Sequence, residues 1–138
     1  EIAAARCLGA DLAYMGTRFL ATQECQINPD YKTMIIDANA DDIIYTNAIS
    51  GIPANFIKQS VERAGYDLNN LPIPDGFDIG AEMSGEETDS STTTISAKPW
   101  KDIWSAGHGV SAIKEVLSIK KLVAQLTIEY NQAISKVR

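Results

Sequence analysis

The sequence predicts an α/β fold, and three observations within its first 22 residues carry that prediction. Residues 2–8 are alanine-rich and end at Gly9, the residue that most readily closes a helix in the left-handed conformation. Residues 12–15, Leu-Ala-Tyr-Met, are the short apolar run of a fully buried strand. Gly16 and Thr17 end that run, and residues 18–22 begin a second short helix. Helix, buried strand and helix thus follow one another through connections of only two or three residues.

A strand ending in Gly-Thr at a helix start can cradle a phosphate. Glycine lets a ligand approach the backbone, Thr17 adds a hydroxyl, and the first N–H groups of the helix point at the anion. In barrels of alternating strands and helices, phosphates are often held by the loops after the last two strands. An ordinary tight connection would show the same spacing, so the spacing alone leaves both readings open.

The stretch Leu8-Gly9-Ala10-Asp11, followed by Met15-Gly16-Thr17-Arg18-Phe19-Leu20-Ala21-Thr22, resembles the last barrel strand of the nitronate monooxygenases, formerly called 2-nitropropane dioxygenases. Further matches follow in the family's order: Tyr31-Lys32 opening a helix, Gly51-Ile52-Pro53-Ala54 after a short strand, and Trp104-Ser105-Ala106-Gly107-His108-Gly109-Val110 before a final helix. The resemblance is weakest over residues 66–99. It implies the C-terminal fragment of a TIM-type (β/α)8 barrel with a mainly helical appended region, and FMN as cofactor. Tyr14, Met15, Gly16 and Thr17 match the family's FMN-binding stretch. Gly16 and Thr17 would hold the phosphate, while Tyr14 and Met15 would contribute through their backbone. The reaction implied is oxidation of alkyl nitronates by molecular oxygen. The related flavin-dependent enoyl-acyl-carrier-protein reductases, and a non-catalytic fragment or assembly module, are the alternatives.

The resemblance also implies that the chain is incomplete. It begins without Met and without a recognisable N-cap. The family's earlier strands, its other phosphate loop and its catalytic histidine would lie upstream, so no catalytic residue is assigned here and this chain alone is expected to be inactive. An apolar strand without neighbours invites pairing with another chain. The expected partner is the missing N-terminal portion or a second copy.

Composition narrows the classes further. The 138 residues are 45% hydrophobic and 22% charged, which suits a globular domain with a sizeable core. A net charge of −6 argues against nucleic acid as a partner, since such proteins present a basic face. No run of apolar residues is long enough to span a membrane. Two cysteines, Cys7 and Cys25, make no disulfide framework and fit a cytoplasmic protein with reduced thiols. One histidine and no Cys-x-x-Cys spacing offer no metal site.

Beyond residue 22 the elements follow from local chemistry. Asn28 is placed to cap a helix with Pro29 in its first turn, and Tyr31, Met34, Ile35 and Ala38 recur at helical spacing. Residues 39–42 end it. Residues 43–46 are rich in strand formers and Gly51-Ile52-Pro53 turns the chain, giving a small antiparallel element. Residues 54–64 are expected to be a helix with Phe56, Ile57 and Val61 inside and Gly65 as its stop. Asn55 and Lys58 are read as a solvated face of that helix rather than ligand contacts.

Residues 66–99 are expected to be a flexible loop, because residues 86–94 contain no apolar side chain; mobility is expected to peak over residues 83–96. Trp100 and Trp104 would anchor the following segment on the barrel face. In the family the turn 105–109 lies near the flavin region, commonly with Gln in place of His108, which leaves that side chain's contact open. His108 itself reads as a surface or hydrogen-bonded structural histidine. The last helix carries a stripe of Ile113, Val116, Leu117, Ile119, Val123, Leu126, Tyr130, Ala133 and Val137, expected to pack on the barrel. The chain therefore divides into residues 1–38 with the phosphate-type turn, residues 39–99 with the small element and loop, and residues 100–138 with the glycine-rich turn and final helix.

Overall fold

A computed structural model of the chain describes residues 1–72 and 101–137. These form two compact units, one of residues 1–37 and 109–138, the other of residues 38–108.

In the first unit, helix α1 (Ile2–Cys7) ends where the sequence places its stop. Gly9 takes a φ of 95°, and the Ala10 N–H returns to the Ala5 carbonyl at 3.0 Å, so the last carbonyls of α1 find donors. Helix α2 (Thr17–Leu20) is a single turn. Helix α3 (Pro29–Asp37) starts at the expected cap: the Asn28 carboxamide oxygen accepts the Asp30 N–H at 2.9 Å. Ile35 on its inner face is fully buried.

The long C-terminal helix α5 (Ile119–Val137) begins six residues after Ile113, where the sequence stripe begins. His108–Ala112 is a 3-10 helix instead, and Ile113 is buried without being helical. Leu122 is the fully buried residue of α5, whereas Ile119 and Val123 of the expected stripe are 40% and 47% exposed. The start of α5 is fixed from a distant part of the sequence. Thr22 and Leu117 form a parallel bridge, the Gln23 N–H donates to the Leu117 carbonyl at 2.9 Å, and the Glu24 carboxylate accepts the Ile119 N–H at 2.9 and 3.0 Å. An acidic side chain at a helix start meets both the unpaired donors and the positive end of the dipole.

The second unit is built on a two-stranded antiparallel sheet of β1 (Ile43–Thr46) and β2 (Ala54–Ile57), with Ile43 opposite Ile57 and Thr46 opposite Ala54. The intervening turn uses Gly51 at a φ of 75°, its N–H donating to the Asn47 carbonyl at 2.8 Å. The expected helix over residues 54–64 is therefore shorter than its apolar pattern implied: α4 spans Lys58–Arg63 only. Phe56 and Ile57 satisfy either periodicity, and the ladder to Ile44 and Ile43 decides for the strand. Gly65 closes α4 as expected, at a φ of 96°.

Phe56, Val61, Ile49 and Ile103 make the core of this unit, with Ile44, Ala54, Tyr66 and Leu71 packed against it. Ahead of β1, Asn39 and Asp42 form a reciprocal capping box around the 3-10 helix Ala40–Asp42. Trp104 is buried, with the Arg63 guanidinium 3.7 Å above its ring. Trp100, most of the expected 66–99 loop and the mobility expectation for residues 83–96 lie outside the described residues.

Candidate functional site

The phosphate-type turn lies in the first unit, at the start of α2. Gly16 is the N-cap of that helix, with φ −93° and ψ −69°, and its carbonyl accepts the N–H groups of Phe19 at 2.9 Å and Leu20 at 3.2 Å. The N–H groups of Gly16 and Arg18 have no acceptor among the described residues. Neither conformation nor packing within the chain requires glycine here. A Cβ at position 16 would meet nothing within 4 Å, so the backbone faces open space that a ligand can enter and a larger residue would fill. The turn is thus open on the side of the Gly16 Cα.

Two of the residues assigned beside it are placed differently from expectation. Tyr14 is wholly exposed and Met15 partly so, and residues 12–15 are not a strand. Their backbone makes no hydrogen bond to other described residues. Leu8 is 89%, Leu12 90% and Tyr14 101% exposed. A strand exists only through a ladder to a neighbour, and among the described residues the one ladder is the antiparallel β1–β2 pair. The apolar run is present without the partners that would bury it.

Thr17 is half-buried in the first position of α2. Arg18, next to it, is half-buried and has no ion-pair partner among the described residues. Sequence reasoning assigned Arg18 to the helix without a role, although a basic residue directly after Gly-Thr is itself a signal for an anion. Behind the turn, the Thr22 hydroxyl donates to the Phe19 carbonyl at 2.7 Å, and the Lys32 ammonium donates to the Thr22 carbonyl at 2.6 Å.

Upstream of the turn, Ile2, Ala5, Arg6, Leu12 and Tyr130 line a cavity of about 270 Å³, edged by an exposed Arg6–Asp11 ion pair at 3.6 Å. It does not include Gly16 or Thr17. His108 is exposed, and Cys7 and Cys25 are free thiols. Asn55 lies in β2, not on a helix, and its carboxamide oxygen is buried without a partner among the described residues. Lys58 instead reaches the Asp41 carbonyl at 2.7 Å. Among the described residues no helix is long and apolar enough to cross a membrane.

A family model described as nitronate monooxygenase matches residues 1–129. The chain is 31% identical over 137 residues to a nitronate monooxygenase of Paraburkholderia phytofirmans, covering 99% of this chain and 36% of that protein. It is 28% identical over 130 residues to a probable nitronate monooxygenase of Bacillus subtilis, covering 93% of this chain and again 36% of the relative. The structure resembles that of FabK from Thermotoga maritima with a TM-score of 0.65 and 24% identity, over 99% of this chain and 42% of that one. That likeness is one of fold. The chain spans little more than a third of the length of the relatives it matches.

Proposed function

This chain belongs to the nitronate monooxygenase family, and from that premise we propose that it is the C-terminal, phosphate-holding part of an FMN-dependent oxidoreductase that oxidises alkyl nitronates with molecular oxygen. The observation that carries the reading is the open backbone at Gly16, at the start of a helix where the Gly16 and Arg18 N–H groups have no acceptor among the described residues. FMN, when bound, supplies the redox chemistry, and the protein contributes position and electrostatics.

Within that reading each residue of the turn has a task. The Gly16 and Arg18 N–H groups donate to phosphate oxygens, and the Thr17 hydroxyl adds a third donor. The Arg18 guanidinium, without a carboxylate partner among the described residues, offsets the phosphate's charge. Tyr14 and Met15 set the direction from which the backbone enters the turn. Residues 12–15 pair with barrel strands supplied by an N-terminal portion or a second copy. The support is their apolar composition together with the nearly complete exposure of Leu12 and Tyr14.

The 138-residue chain alone does not turn over nitronates in this account, because the family's catalytic histidine would lie upstream and none of the described residues is placed as a catalytic base. Propyl-2-nitronate and oxygen, supplied to the protein at its native length with FMN, test the reaction directly. An enoyl thioester with reduced nicotinamide is the control substrate; turnover of that pair in place of the nitronate would assign the reductase alternative.

A further inference from the structure

Lys32 is a side chain that the family reading leaves without work. It sits in α3, ten residues beyond the turn it touches. Its ammonium is half-buried and donates to the Thr22 carbonyl at 2.6 Å. Thr22 is almost wholly buried, its hydroxyl closes the last turn of α2 on the Phe19 carbonyl, and its backbone is bridged to Leu117. The far end of α2 is therefore held at three points.

That helix has one turn and a length of about 6 Å. Gly16 and Thr17 stand at its other end. With only one turn between them, few residues can absorb a shift of the C-terminal end before it reaches the N-terminal donors. The ammonium also lies just past the C-terminal end of α2, where a cation is favoured by the helix dipole.

We propose that Lys32 is a positioning residue for the phosphate turn: by holding the Thr22 carbonyl it fixes where the N–H groups and hydroxyl at the start of α2 point, without touching the cofactor. This rests on the reading that Gly16 and Thr17 hold the FMN phosphate. Its consequence is selective. A flavin bearing a phosphate feels the loss of Lys32, and one lacking it does not.

The test compares FMN with riboflavin, both titrated by flavin fluorescence into the apoprotein at its native length. Lys32→Met is expected to weaken FMN binding roughly ten-fold while leaving riboflavin affinity unchanged, and Lys32→Arg, which keeps a donor on a long stem, is expected to restore most of the loss. Should Lys32→Met fold poorly, Lys32→Gln gives the same comparison with one neutral donor kept. Equal weakening of both flavins would mean a general structural role, and unchanged FMN affinity would mean no role; either result overturns the proposal. If Gly16→Val and Thr17→Ala discriminate between the flavins while the Lys32 variants do not, the positioning role falls and the phosphate site stands. If none of the variants discriminates, the phosphate site itself is wrong.

Discussion

Ser60 and Trp104, 44 positions apart, are locked together through the backbone of one and the hydroxyl of the other. The Trp104 N–H donates to the Ser60 Oγ at 2.9 Å, and that hydroxyl donates in turn to the Ile57 carbonyl at 2.8 Å, with the Trp104 carbonyl at 3.2 Å. The Ile57 N–H completes the link, donating to the Trp104 carbonyl at 2.8 Å. A segment without regular structure is thereby fastened to the end of β2 and the start of α4.

Ser60→Ala removes the acceptor of a buried N–H and leaves that donor unpaired, a loss of about 1–3 kcal/mol. Chemical denaturation followed by tryptophan fluorescence measures it. A loss confined to a few tenths would show that water replaces the hydroxyl.

Glu24→Ala takes away both carboxylate contacts to the Ile119 N–H and should cost about 1 kcal/mol. The loss should appear first as faster amide exchange over residues 119–122. Glu24→Gln, which retains an acceptor without the charge, should fall between wild type and Ala.

Asp42 gives a signed pH dependence. Its carboxylate accepts the Asn39 N–H at 2.8 Å and the Gln59 amide at 3.0 Å, and these bonds hold its pKa below the ordinary 3.8, with the Asn39 bond the larger cause. A depressed carboxylate stabilises the fold fully above its unfolded pKa and loses that contribution as pH falls through the folded value. Acid titration should therefore destabilise the wild type below about pH 4 more than Asp42→Asn, whose side chain does not titrate. Parallel acid curves for the two proteins would contradict the capping box.

What the sequence made legible was local. Gly9, Gly65 and the Asn28 cap were readable because each obeys a rule that spans only a few residues. The β2 strand was misread because Phe56 and Ile57 fit a helical and an extended pattern equally, and only the partner strand chooses. The exposure of residues 12–15 was unreadable for a related reason: an apolar run states that burial is needed, not what supplies it. In the candidate site, the sequence places Gly16 and Thr17 at a helix start, and the structure puts them at the N-terminus of α2. Lys32 was seen only as part of a motif, because its contact with Thr22 spans a loop and a turn of helix.

The exposed row of Leu8, Leu12 and Tyr14 should make the isolated chain associate. Analytical ultracentrifugation should find dimers or larger species at micromolar concentration, and Leu12→Asp should shift them toward monomer. A monomer with a cooperative thermal transition would show that the chain closes its own core without a partner for residues 12–15.

The central claim, that Gly16 and Thr17 hold the phosphate of FMN, is tested most directly by the affinity of FMN for the protein at its native length and for two variants. Gly16→Val, which places a branched side chain in the open space before α2, should abolish FMN retention. Thr17→Ala should weaken binding by about 1–3 kcal/mol, the loss of one hydrogen bond to a charged group. FMN affinity unchanged in both variants would contradict the claim.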